Sequence, residues 1–192
     1  MSKRNIALLG ATLVSIIYGV TFTIAKDVMP KYIDAYGFIL LRAGGSMLLF
    51  WLFWLVMPKE KIALNDFPRI IAAAFFGVAF NMLTFFKGLS LTSPISASVI
   101  MVSTPMIVLV LSAIIMKERM KKRMALGIVL GLIGTASLIL YGKSIGDTSQ
   151  SGLGNFLVLV NAISYGFYLI IVKKLMNKYN AFTFVKWIYL FG

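Results

Sequence analysis

Between Ile6 and Val172 the chain runs six times through a stretch that is almost wholly apolar, and each stretch ends in a short charged connection. One helical crossing of a bilayer core needs about 20 such residues. The runs are Ile6–Ala25, Tyr36–Met57, Ile70–Phe86, Pro94–Met116, Met124–Leu140 and Leu153–Val172, and a seventh opens near Ala181 and has continued to Gly192. With 60% of residues hydrophobic and 13% charged, a soluble domain of this size has too little interior to hide the apolar surface. The pattern predicts an all-α, polytopic transmembrane helix bundle in contact with the lipid bilayer. Lys3 and Arg4 before the first run resemble a signal-peptide start, but the run is long and lacks a small-residue cleavage site, so it is read as helix 1.

A net charge of +13 would suggest nucleic acid in a soluble protein. Here the cations sit at the ends of crossings. One side of the membrane receives Lys3, Arg4, Lys59, Lys61, Arg69, Lys117, Arg119, Lys121, Lys122, Arg123, Lys173, Lys174 and Lys178, and the other only Lys26, Lys31, Lys87 and Lys143. Thirteen against four sets orientation by the positive-inside rule, with the N-terminus in the cytoplasm. The charge is therefore topological, and no nucleic-acid partner is expected.

The stretch YGVTFTIAKDVMPKY, Tyr18 to Tyr32, returns 147 positions later as YGFYLIIVKKLMNKY, Tyr165 to Tyr179, with seven of fifteen positions identical. The helices bearing the two copies are numbers 1 and 6, an odd separation, so the copies should cross in opposite directions. Inverted-topology repeats of this kind are found in secondary transporters. The longest polar connection, Tyr141 to Asn155, is rich in Gly and Ser and separates the halves.

YG followed by Lys26 in helix 1, Arg42 within FILLRAGG in helix 2, and the run from Phe85 to Arg119 with a mid-helix proline and a terminal Glu-Arg together resemble the EamA-like group of the drug/metabolite transporter superfamily. Tyr18 stands where that group usually has tryptophan. The resemblance implies inverted five-helix repeats, with residues 1–142 as the first, 143–152 as linker and 153–192 as the start of a truncated second. It implies a secondary transporter moving a small organic metabolite by alternating access, in a bacterial cytoplasmic (inner) membrane. A ten-helix protein would need roughly a hundred residues more, at about 20 per crossing plus connections. The alternative is a membrane-embedded structural or accessory protein without its own pathway.

The six acids Asp27, Asp34, Glu60, Asp66, Glu118 and Asp147 all fall in connections or at helix ends, and histidine and cysteine are absent. Neither a histidine base, a thiolate nucleophile nor a His- or Cys-based metal site can be built. No enzymatic activity, cofactor or metal is expected. Arg42 is read as the one charge well inside a crossing, about 9 Å deep at 1.5 Å per residue, either snorkelling to the interface or fixed on the substrate path.

Helix 3 carries Gly77, Asn81, Thr84 and Gly88 on one stripe, helix 1 carries Thr12, Ser15, Gly19 and Thr23 beside Tyr18, and helix 6 carries Asn161, Ser164, Tyr165 and Tyr168. Small and hydroxyl residues of this kind serve close helix packing in any membrane bundle. An amide in hydrocarbon must find a partner. The expected substrate cavity is therefore Tyr18, Asn81, Thr84, Ser103, Asn161 and Tyr165. Pro105 leaves the carbonyl of Met101 without its helical partner and is a candidate hinge. Gly127 and Gly131 of helix 5 form a G-x-x-x-G face, a candidate homodimer contact.

The orientation has a direct test, because the chain contains no cysteine. A cysteine placed at Thr148 should react with an impermeant maleimide from outside the cell. Reaction from the cytoplasm alone would overturn the topology.

Overall fold

The protein is described by a computed structural model covering residues 3–57, 59–117, 122–141 and 150–192. Every regular element among these residues is helical: α1 (Lys3–Val28), α2 (Ala35–Val56), a 3-10 turn (Leu64–Asp66), α3 (Phe67–Ala74), a π-helical segment (Phe75–Ala79), α4 (Phe80–Leu91), α5 (Pro94–Val102), α6 (Thr104–Met116), α7 (Lys122–Tyr141), α8 (Ser151–Met176) and α9 (Ala181–Phe191). The expected third crossing is α3, the π segment and α4 in one column, and the fourth is α5 and α6 broken at Ser103. Five stretches among the described residues are long and apolar enough to span a membrane. Most of the expected linker at 143–152 lies outside the described residues.

The third and sixth helices are longer than the sequence suggests. Lys87 was read as an end, yet α4 runs on to Leu91, and α8 continues past Lys173 and Lys174 to Met176. A cation does not stop a helix, and two of them in the last turn of α8 favour the negative end of its dipole. Capping side chains set the starts instead. Asp34 accepts from the Tyr36 amide, Ser93 from the Ser96 amide ahead of α5, and Asn180 from the Phe182 amide ahead of α9. Pro94 occupies the first turn of α5, where its missing N–H costs nothing. The second proline of this crossing, Pro105, likewise sits in the first turn of α6, after the break at Ser103.

α8 is the axis of the bundle, with α3, α4, α5 and α6 laid against it. Its partners along the third crossing run in reverse order. Lys178 meets Asp66, Ser164 meets Phe76, Asn161 meets Asn81, and Ser151 meets Leu91. α1 by contrast rises with α4, Phe22 against Phe85 and Lys26 against Leu89. The third crossing is thus antiparallel to α8 and parallel to α1, so α1 and α8 point in opposite directions.

Close approach is achieved with glycine. A Cβ on Gly88 would stand 2.8 Å from the Gly154 carbonyl oxygen, and one on Gly154 would stand 2.8 Å from that of Gly88. The buried core runs along the third crossing and α8 and includes Phe85, Phe86, Leu89, Val158, Leu175 and Phe184. α1 and α2 turn most of their Leu, Ile and Val side chains outward. In a bilayer such faces meet acyl chains at little cost.

Gly154→Leu should destabilise the protein by roughly 1–3 kcal/mol, the usual range for overpacking, because the obstructing atoms are backbone and cannot swing away. The control is Gly152→Leu, whose Cβ would meet nothing within 4 Å. Thermal unfolding in detergent should give a lower midpoint for the first variant only. Equal midpoints would show that the glycine contact is not tight.

Candidate functional site

Midway along α8 the amide side chains of Asn161 and Asn81 exchange hydrogen bonds with each other's backbone. Asn161 Nδ2 donates to the Asn81 carbonyl at 2.8 Å, and Asn81 Nδ2 donates to that of Asn161 at 3.4 Å. Thr84 is buried and donates back to its own helix, at 2.8 Å to Phe80 and 3.1 Å to Asn81. One turn earlier lies the π segment, whose wider winding shifts backbone carbonyls out of the usual ladder. Ser164 uses this, donating at 2.7 Å to the Phe76 carbonyl, while the Tyr168 ring fills the space where a Cβ on Gly77 would stand. The stripe on the third crossing is therefore its contact with α8. Asn161 Oδ1 is buried and accepts no hydrogen bond from the described residues.

A groove of about 550 Å³ opens between α1 and α5. Ser15, Tyr18 and Thr23 on one wall and Ser98 on the other supply hydroxyls, and Phe22 and Met101 supply apolar surface. Tyr18 packs edge-on against Phe22, and Phe22 against Phe85, each pair at 5.3 Å between centroids. Tyr18 also lies within electrostatic range of Tyr165 and Arg42. Arg42 stands 5.3 Å from the Phe86 ring and is exposed, with no ion-pair partner among the described residues. The tyrosine pair extends to Tyr168, 5.7 Å from Tyr165.

The six expected cavity residues thus divide three ways. Asn81, Thr84 and Asn161 meet at the α4–α8 contact. Tyr18 lines the groove, with Tyr165 and Arg42 near it. Ser103 shares a hydrogen bond with Thr135 of α7, which places it on the contact between the fourth and fifth crossings. Gly131, expected on a dimer face, packs against Met106 of α6.

Four features were not read in the sequence. The π segment has no marker residue. Lys26 reaches across from α1, donating at 3.0 and 2.9 Å to the carbonyls of Leu89 and Ser90 in the last turn of α4. At the opposite end of the bundle, Asp66 accepts from Lys178 at 3.1 Å, Tyr179 at 2.9 Å and Arg69 at 3.1 Å, while Glu60 Oε2 accepts from the Asn180 amide at 3.0 Å and Thr183 Oγ1 at 2.7 Å. A pocket of about 340 Å³ bordered by Trp54, Glu60, Phe182 and Thr183 adjoins this network. Fourth, Arg42 is not the one charge held within an apolar run. Lys186 lies in α9, buried among Trp51, Trp54 and Trp187. A lysine five residues into the seventh apolar run, beside a tryptophan, was the signal available. Among the described residues no three His, Cys, Asp or Glu side chains gather as a metal site would require.

Residues 5–140 match the EamA-like transporter family. The chain is similar to the uncharacterized transporter YyaM of Bacillus subtilis (strain 168), 30% identical over 169 residues, which is 85% of this chain and 54% of that protein. An uncharacterized transporter of Archaeoglobus fulgidus is 27% identical over 167 residues, 86% of this chain and 57% of its own. The uncharacterized transporter YetK of Bacillus subtilis is 24% identical over 147 residues, 76% and 44% of the two chains. The chain spans about half the length of the curated relatives it matches. No solved structure gives a significant match.

The asparagine pair yields an ordered expectation. Asn161→Leu removes the 2.8 Å bond and Asn81→Leu the 3.4 Å one, and interhelical hydrogen bonds in membranes are worth about 0.6 kcal/mol on average and about 1.7 at most. In detergent unfolding, Asn161→Leu should cost more than Asn81→Leu. The reverse order would mean that the Asn81 amide has a further role in the fold.

Proposed function

The chain belongs to the EamA-like transporter family, and from that membership we propose that it moves a small organic metabolite across a bacterial cytoplasmic membrane by alternating access. It is a multi-pass membrane protein. Its reading as a secondary transporter, and not an enzyme, is supported by the family and by a membrane-embedded groove walled with hydroxyl and aromatic side chains and no acid. The groove walls Tyr18, Ser15, Thr23 and Ser98 would offer hydrogen bonds to polar substituents of the substrate, while Phe22 and Met101 would cover its apolar part. Arg42 and Tyr165 lie within electrostatic range of Tyr18.

The observation that carries the mechanism is the opposition of α1 and α8. They bear the repeated stretch and run in opposite directions, as two halves of an inverted repeat must. Superposing them about an axis in the membrane plane would bring Tyr18 onto Tyr165 and Lys26 onto Lys173. The break at Ser103 and the proline two residues later supply a bend in the fourth crossing that a rocking motion could use. By the positive-inside rule the end carrying Glu60, Asp66 and Lys178 is cytoplasmic, and so is the N-terminus.

The second reading, a packing or accessory protein, draws on the asparagine pair, whose bonds knit helices together. A homodimer through the glycine face of α7 remains open at Gly127 and Gly134, where a Cβ would meet nothing within 4 Å.

Proteoliposomes carrying the protein, offered a panel of labelled amino acids, nucleotide precursors, sugars and organic cations, should show counterflow of at least one compound. Tyr18→Ala should lower that flux tenfold or more. Correct insertion without counterflow of any class would favour the accessory reading.

A further inference from the structure

Lys186 is 4% exposed in α9, five residues past the start of the helix, and no carboxylate among the described residues forms an ion pair with it. The two nearby acids are engaged elsewhere, Glu60 by Asn180 and Thr183, and Asp66 by Arg69, Lys178 and Tyr179. Its ammonium rests instead on indole faces, 3.6 Å from the Trp54 ring centroid, 5.0 Å from Trp51 and 5.5 Å from Trp187. These are all three tryptophans of the chain. Trp51 and Trp54 belong to α2, and Lys186 and Trp187 to α9, so the contact ties two helices that are far apart in sequence.

A lysine at a membrane interface ordinarily extends its head to water. This one turns into the protein, and the ring quadrupoles it meets offset only part of the desolvation of an ammonium. The arrangement also leaves Trp51 Nε1 buried without an acceptor among the described residues. A contact so composed holds two helices together while keeping the separated state within reach, because on separation both the ammonium and the indole N–H regain partners. A hydrophobic pair would merely pack. At this same end the Asp66 and Glu60 networks draw the 177–183 segment onto the start of the third crossing. Toward the other end, the groove between α1 and α5 stands open.

We propose that the Lys186–tryptophan cage is a latch that keeps α9 against α2 and this end of the bundle shut, and that it releases when the opposite groove closes. The inference rests on the alternating-access reading above. Release would separate Lys186 and Trp187 from Trp51 and Trp54 and admit water between α9 and the third crossing, as far as the π segment that α9 packs against and that Ser164 bonds. The rings remain with their own helices, so the cage reforms on return.

Cysteine reporters test the latch without a substrate, in a chain that has no cysteine of its own. Ser164→Cys places a thiol in the buried α8 contact beside Phe76, and Ser98→Cys places one in the open groove. In membrane vesicles, adding Lys186→Gln should raise impermeant-maleimide labelling at position 164 from the latch side at least fivefold. It should lower labelling at position 98 from the groove side by a comparable factor. Lys186→Arg keeps a cation on the rings and should leave both rates near those of the parent. Trp54→Leu removes the nearest ring and should reproduce the Lys186→Gln pair of changes, which keeps the test decisive if one variant inserts poorly. Unchanged rates in Lys186→Gln and Trp54→Leu would overturn the latch. A rise at both positions would overturn it too, since general loosening follows the loss of a structural anchor. Because labelling needs no transported compound, failure of the latch and failure of the transport assay are read separately.

Discussion

Inside hydrocarbon a polar group that loses its helical partner has no water to turn to, and must be satisfied by another part of the protein. The contact between α4 and α8 depends on this. The Phe76 carbonyl lies within the π segment, and Ser164 donates to it. Asn81 and Asn161 could not be left facing lipid, so each amide is turned onto the other helix's backbone. Glycine at 88 and 154 brings the two backbones close enough for Ser151 to reach the Leu91 carbonyl. Every further helix is placed relative to this pair. α9 packs beside α3, α1 follows the end of α4, and α5 and α6 lie along α8.

The bundle ends are governed by different physics. Near the interface, water competes for every charge, and an exposed ion pair is worth about 0–1 kcal/mol. Asp66 is nearly buried and accepts from three side chains at once, so its network holds more firmly than any one of its pairs would. Glu60 joins it by accepting from the amide that begins the turn into α9. Lys186 has neither acid, and its cage of indoles is the remaining option for a buried ammonium. The three arrangements lie on the same end, and together they bring the α8–α9 turn onto the loop that precedes α3.

Apolar length and charge placement made the helical architecture legible, because a bilayer leaves a 20-residue apolar run few alternatives. The boundaries of α4 and α8 were harder. Lys87 stays helical over the Tyr36 ring, a tertiary contact that local sequence does not display. Site residues were legible as types more than as partners. Asparagine in a membrane helix announces that a partner exists without naming it, and Ser103, expected beside a cavity, found Thr135 instead. The π segment is silent in sequence because Phe75 to Ala79 is as apolar as an ordinary turn. Lys186 was missed through a judgement of depth, since a short seventh run gave no measure of how far inside the membrane it lay.

The repeated stretch gains its sense from what its lysines hold. In the first copy Lys26 caps the carbonyl end of α4, where the helix dipole is negative and two oxygens lack helical donors. In the second copy Lys178 and Tyr179 bind Asp66, at the opposite end of the same crossing. One crossing is thus gripped at its two ends by different words of the same repeated phrase. That is possible only because the copies run in opposite directions: α1 rises with α4 and delivers its lysine to the last turn, whereas α8 descends and delivers its Lys-Tyr pair to the first. The corresponding pair of copy one, Lys31 and Tyr32, lies exposed, with Lys31 5.0 Å from its neighbour's ring. The same Lys-Tyr pair therefore does unequal work in the two copies, and it is direction, more than residue identity, that assigns each copy its partner.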